Sequence, residues 1–519
     1  MSLAALLDAD FKTRPWRHQA DEFEESCEAE YRALLWQMRS GKTKIVIDTA
    51  CHLYKRGLID TLIIFAPNGV HENWVVRELP THAWPSVSYT AKYWRTRVAG
   101  RKGGNRLSKA EKAAWERVYE SWWADLRAAL TAPELLVVTV NSESMTRPDV
   151  RKIVATLLRK RKAMVVWDES SDFRTPGSAR TKMSRSLVRY APYRRILDGT
   201  ASHNSPLHLF SQFELLKKGA LGFTVYEDFK ERYAEYEEAR GPGGRKYPRL
   251  KRYQNLEELK RRMAPMSSVV LREDCSDLPP VVQRPRYYEM TAEQVEVYRD
   301  VMKRIEFELD EEEVPIKKQV ILIGKLQQVV SGFIIDSNSV VHDIPGGNPR
   351  MEVLADEVFL ASGPCIIWCQ FHEDMDRLMA RLRELDIGDI REYSGRVSPE
   401  AKLEARTHFQ TGAIKALVGH PKAGGRGLEL SAASKIIWYS HTFDAIMRAQ
   451  ADERATKMGG GNVDLVDIIA RPPSDWDGLW ADGALPVDEY ILSKVTNKVS
   501  IADDVAGRGL KAILQGVRI

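Results

Sequence analysis

LLWQMRSGKTKIVIDTA, residues 34 to 50, reads as a short apolar strand, a turn and the start of a helix. Its centre, Ser40-Gly41-Lys42-Thr43, ends like a phosphate-binding loop, in which turn N–H groups and the positive end of a helix dipole favour phosphate oxygens. Two small residues common in such loops are missing. Trp36 stands five positions before Gly41, where the GxxxxGK[ST] pattern has Gly, and Arg39 takes a second position often given to Gly. On these residues alone the stretch is one of two things. It is a nucleotide loop, with Lys42 on the β and γ phosphates and Thr43 on Mg²⁺, or a glycine turn before a helix.

AMVVWDESSDFRTP (163–176) adds a second piece. Four apolar residues deliver Asp168 and Glu169 to the end of a buried strand. There an ATPase puts one carboxylate near Mg²⁺ and uses the other to orient the attacking water. The surrounding chain repeats the same grammar: IDTLIIFAP, ELLVVTV and YRRILDGTA are apolar, β-branched runs, each followed by a polar turn and a helix-period stretch. Strand, loop and helix in that order predict an α/β fold of parallel sheets covered by helices. After residue 225 the pattern becomes charged and helical, broken by GPGG (241–244) and DLPPVVQRP (277–285). From about residue 350 the strand pattern returns in GPCIIWCQF, IREYSG, IKALVGHP and SKIIWYSHT.

The chain has 519 residues, too many for one ordinary core, so two or three domains are expected. No apolar run approaches the roughly 18 residues of a membrane span. With no basic-then-apolar leader after Met1, the expectation is a cytoplasmic protein that does not enter a membrane. Five cysteines, including Cys365 and Cys369 on one face of a strand, suit core packing better than metal binding. The net charge of +5 excludes little, but basic residues gather at 95–112, 157–162 and 239–262. In an ATP-hydrolysing chain, three such runs point toward a phosphate backbone.

RRILDGTASHNSPLHLFSQFELL (194–216) resembles the LTGTPxxNxxxELxxLxxFL run of the Swi/Snf-like family of superfamily 2 helicases and DNA translocases. The family's other motifs follow in order. RPWRHQADEF resembles the adenine-reading Q motif, LIIFAPNGVHENWVVREL motif Ia, and VVTVNSES motif Ib. CIIWCQFHEDMDRLMARL resembles motif IV, YSGRVSPEAKLEARTHFQ the segment after it, KALVGHPKAGGRGLELSAASKIIWYSH motif V, and AQADERATKMG motif VI. PVDEYILSKVTNKVSIADDV resembles the helix that ends the second lobe. LLWQMRSGKT aligns with the family's LADEMGLGKT, so the GKT that touches phosphate is intact while Trp36 and Arg39 depart.

The resemblance implies two RecA-like parallel-sheet lobes with helical insertions between them. Residues 1–225 would form lobe 1, 226–345 the helical protrusions and linker with a basic insertion, and 346–519 lobe 2. It implies ATP and Mg²⁺ as cofactors. Gln19, Arg39, Ser40, Gly41, Lys42, Thr43 and Gly427 would bind ATP, and Thr43 and Asp168 would hold Mg²⁺ through it. Lys42, Asp168, Glu169, Arg454 and Lys457 would be catalytic. Arg39 either adds positive charge near the γ phosphate or packs against the strand ends.

DNA phosphates would meet Pro67, Asn68, Thr139, Ser142, Thr200, Gln370, Ser394, Gly395, Arg396, Gly424 and Gly425. Arg245, Lys246 and Arg249 of the basic insertion would grip a second strand or a junction. Two departures from the family pattern stand out. Ser171 replaces the histidine of a DEAH-type ending, and Lys457 replaces the second arginine of motif VI: Arg454 carries the arginine finger's duty with Lys457 in support, or Lys457 carries it less well, or another arginine such as Arg426 helps.

The activity expected is that of a monomeric, DNA-stimulated ATPase: a translocase on double-stranded or branched DNA in bacterial or viral repair and recombination. If the source is eukaryotic, the address becomes nuclear. The alternatives are an RNA-dependent helicase and a weakly catalytic nucleic-acid-binding subunit of a larger complex.

Overall fold

The computed structural model describes residues 10–37, 39–68, 70–94, 101–102, 105–106, 108–199, 205–240, 246–271, 275, 281–311, 316–422, 430–452, 454–455, 463–473 and 486–496. The chain divides into two compact units, Met1–Ser276 and Asp277–Ile519.

The first unit is built on a seven-stranded, all-parallel sheet. In spatial order its strands are Ser267–Val270, Tyr31–Trp36, Tyr193–Leu197, Ala163–Asp168, Thr61–Ala66, Leu135–Asn141 and Tyr89–Tyr93. Helices cover both faces, so the central strands need apolar side chains on each side and read as unbroken hydrophobic runs. Every residue of Thr61–Ala66 and of Leu135–Asn141 is buried. The strand after Tyr31–Trp36 in sequence, Thr61–Ala66, lies three places away from it, and Tyr193–Leu197 and Ala163–Asp168 fill the gap. Such a reversal opens a crevice at the carboxyl ends of the strands, the usual ligand position in open α/β sheets.

The second unit carries a six-stranded parallel sheet in the order Val281–Glu289, Val463–Arg471, Lys435–Trp438, Cys365–Trp368, Ala416–Gly419 and Ile390–Tyr393. Both units are therefore α/β, each built on a parallel sheet. None of the five cysteines forms a disulfide, and Cys365 and Cys369 are buried in the second core. Among the described residues no helix is long and apolar enough to cross a membrane.

The division between units falls inside 226–345, and that stretch is less helical than its charge pattern predicts. Ser267–Val270 joins the first sheet and Val281–Glu289 the second. Ala234–Arg240 and Lys246–Tyr253 pair as an antiparallel hairpin. AEYEEAR has good helix formers, but KYPRLKRY contains Pro248, which a helix interior rejects. Opposite charges facing across the hairpin favour the ladder: Lys246 reaches Glu238 at 2.7 Å, and Lys251 and Arg252 each reach Glu235 at 2.6 Å.

Candidate active site

Tyr31–Trp36 ends on the loop, and Lys42–Lys55 is the helix that leaves it. Trp36 is the last strand residue. Its indole is buried and donates to Ser268 Oγ at 2.8 Å in the neighbouring strand, so it fills the sheet edge and does not crowd the loop. Arg39 takes a left-handed backbone, φ 62°. That conformation costs a non-glycine residue on the order of 1 kcal/mol, which explains why glycine is common at this position. Gly41 caps the helix at φ 81°, and a Cβ there would fall 1.9 Å from Gln19 Nε2.

Gln19 and His18 clamp the loop from the helix Arg17–Ser26. Gln19 Nε2 donates to the carbonyls of Ser40 and Gly41 at 3.3 Å each, its Oε1 accepts from Trp16 N at 2.9 Å, and His18 Nε2 lies 2.8 Å from Ser40 O. Ser40 Oγ closes the turn on Gln37 O at 2.7 Å. Lys42 Nζ bonds the carbonyls of Trp36 and Gln37 at 2.6 and 3.1 Å, which holds the ammonium over the loop. Thr43 is half-buried at the first turn. The helix is tied down behind it by the buried pair Lys44–Asp48, with Trp84 Nε1 donating to Asp48 at 2.9 Å.

Asp168 closes its strand level with Leu197, and Leu197 is level with Leu34. Two strand spacings, about 10 Å, therefore separate Asp168 from the root of the loop. Glu169 follows in a left-handed conformation, φ 52°, a strained backbone of the kind that gathers at functional sites. Lys, Thr, loop N–H groups and two carboxylates at this separation fit a nucleoside triphosphate with Mg²⁺.

Three contacts at the site escaped the sequence reading. Trp74 Nε1 donates to Asp168 Oδ2 at 2.9 Å. Ser170 Oγ and Gln212 Nε2 both donate to the buried Asp198 Oδ2, at 3.3 and 3.0 Å. Asp198 stands where the family pattern has threonine, and that departure was the visible signal. It links the acidic motif to the helix His208–Leu216.

The expected DNA-contact residues separate by burial. Asn68, Gly395, Arg396 and Lys246 are exposed, and Gln370 is half-buried. Arg396 is bidentate to Asp376, at 2.7 and 2.9 Å, and also bonds Glu392 at 3.1 Å; these carboxylates raise its pKa above the usual arginine range. Pro67 is buried, and its carbonyl accepts from Val70 N at 3.0 Å. Thr139, Ser142 and Ser394 are 0% exposed. Thr139 Oγ1 donates to His71 O at 2.6 Å, and Ser394 Oγ donates to Glu392. These three side chains face the interior.

In the second unit Arg454 is buried, and its carbonyl accepts from Leu430 N at 3.1 Å. Thr200, Arg245, Gly424, Gly425, Gly427 and Lys457 lie outside the described residues, as does the side chain of Arg249.

Residues 30–331 match the profile of the SNF2-related domain. YwqA of Bacillus subtilis (strain 168), provisionally designated an ATP-dependent helicase/translocase, is 25% identical over 434 residues, covering 81% of this chain and 42% of that protein. The TATA-binding protein-associated factor MOT1 of Saccharomyces cerevisiae is 23% identical over 374 residues, covering 62% and 20%. The chain thus spans less than half of these relatives. A SWI2/SNF2 ATPase core of Sulfolobus solfataricus, solved with dsDNA, aligns over 98% of this chain and 96% of its own at 18% identity and a TM-score of 0.38.

Proposed function

The chain belongs to the SNF2-related family, and on that premise we propose that it is an ATP-driven translocase on double-stranded or branched DNA. One observation carries the reading: the Gly41-Lys42-Thr43 loop and the Asp168–Glu169 pair end strands of the same parallel sheet, two places apart. Lys42 and the loop N–H groups hold the phosphates, while Thr43 and Asp168 hold Mg²⁺, which supplies charge neutralisation for phosphoryl transfer. Glu169 orients the attacking water. Gln19, as the clamp on Ser40 and Gly41, makes loop geometry depend on the adenine side of the site.

Asn68, Gly395, Arg396 and Lys246 supply exposed donors to phosphates, independent of sequence. The ion pairs of Arg396 with Asp376 and of Lys246 with Glu238 are solvent-exposed, so a phosphate can compete for them. The hairpin Ala234–Tyr253 meets a second strand or a junction, which suits fork reversal, branch migration or displacement of bound proteins.

Displacement of a triplex-forming strand from duplex DNA tests the proposal. ATP-dependent displacement by the wild type and none by Glu169→Gln is expected. Displacement that proceeds equally well without ATP, or activity confined to RNA, would reject it.

A further inference from the structure

The contact between Trp74 and Asp168 joins two features the family motifs treat separately. Trp74 opens a π-turn, Trp74–Glu78, between the α-turns Val70–Asn73 and Leu79–His82. A π-turn inside a helix is an unfavourable local geometry that recurs at functional sites, where the extra residue re-aims side chains. Here the indole is 1% exposed and its N–H meets a carboxylate oxygen at the end of the Ala163–Asp168 strand. The same helical segment is pinned at its start. Thr139 Oγ1 donates to His71 O at 2.6 Å, and His71 Nε2 lies 3.1 Å from Trp94 O. The stretch that follows Pro67 and Asn68 is thereby fixed to the sheet at His71 and to the acidic motif at Trp74.

Among the described residues, two other buried indoles also donate to carboxylates. Trp84 meets Asp48, which is paired with Lys44, and Trp438 meets Asp452, which is paired with Arg448. Both of those carboxylates are salt-bridged within a helix. Asp168 is half-buried at the strand end beside the phosphate loop.

We propose that Trp74 is a positioning residue for the metal-binding carboxylate: its N–H holds Asp168 Oδ2, sets the plane in which the carboxylate meets Mg²⁺, and ties that plane to the segment 67–82. The proposal rests on the reading of Asp168 as a Mg²⁺ ligand. A movement of the segment would reach the carboxylate through one charge-assisted hydrogen bond.

The test is binding of a non-hydrolysable ATP analogue by calorimetry, in Mg²⁺ and in EDTA, for the wild type, Trp74→Phe, Asp168→Asn and the double variant. Trp74→Phe keeps an aromatic ring and removes the donor. Expected is unchanged binding in EDTA, a loss of about ten-fold in the Mg²⁺-dependent gain in affinity, and a higher Mg²⁺ midpoint. In the Asp168→Asn background the Phe substitution should add nothing. Trp74→Phe binding as the wild type in both media overturns the proposal. So does an equal loss in both, because that is the signature of packing alone. If Trp74→Phe does not fold, the benzothiophene analogue of tryptophan at position 74, equal in shape and lacking the N–H, gives the same readouts. A wild type that binds nucleotide with no Mg²⁺ dependence rejects the metal role of Asp168 itself, and the inference falls with it.

Discussion

Gly41→Ala should disable the loop through a specific collision. At φ 81° an alanine is strained by about 1 to 2 kcal/mol. Its Cβ would also sit 1.9 Å from Gln19 Nε2 and 3.2 Å from the Trp16 ring, so the Gln19 amide must leave. Leaving breaks its bonds to Ser40 O, Gly41 O and Trp16 N, worth about 1 kcal/mol each. Together these place the loss near 4 kcal/mol, enough to shift the urea transition of the first unit and to weaken nucleotide binding by orders of magnitude. The decisive control is Gln19→Ala/Gly41→Ala. With the glutamine gone the collision is gone, and alanine at 41 should then cost only its backbone strain. A Gly41→Ala loss below about 1 kcal/mol, or losses that simply add in the double variant, would refute the clamp.

Other outcomes follow from the same geometry. Thr139→Val should cost about 1 to 2 kcal/mol in urea unfolding, by removing the buried bond to His71 O, while leaving the salt dependence of DNA binding unchanged. Lys246→Ala, by contrast, should leave stability intact and lower the slope of log K against log salt by about one. Asp198→Ala strands the buried Ser170 hydroxyl and Gln212 amide without their acceptor and should cost about 2 to 5 kcal/mol. Adding Ser170→Ala and Gln212→Leu should recover much of that loss. In the second unit, burial pushes the Asp374 carboxyl up to about 6 against its bonds to Ser440 and nearby Arg350. A raised value in the folded state means the contribution is full below about pH 4 and is lost as pH rises past 6, about 3 kcal/mol in all. The unfolding free energy of the wild type relative to Asp374→Asn, measured across this window, should fall as pH rises.

Much of the candidate site was legible because it is local. Strand, turn and helix follow one another within 34–50, and the carboxylates end a run of buried β-branched residues, so periodicity alone places them. The two departures in that loop have a geometry that sequence does not state. Trp36 belongs to the strand and turns away to Ser268, and Arg39 occupies a left-handed backbone that glycine would take at no cost. Burial was harder to read. Thr139 and Ser142 stand in a motif that suggests a surface, yet only the packing of the segment 70–82 over the strand end shows that their side chains are inside. The hairpin at 234–253 was hidden by composition, since Glu, Ala, Lys and Arg favour helices until cross-strand charge pairing and Pro248 decide otherwise. Trp74 was quoted within a motif and passed over, because nothing in a sequence says that an indole 94 residues away donates to Asp168.

The central claim is that this site hydrolyses ATP in response to DNA. Steady-state ATPase of the purified chain, alone and with single-stranded DNA, duplex DNA, a forked junction and RNA, tests it most directly, with Glu169→Gln as the blank. Strong stimulation by duplex or forked DNA is predicted, with fork above duplex if the hairpin meets junctions. Rates equal to the blank under every condition would contradict the account.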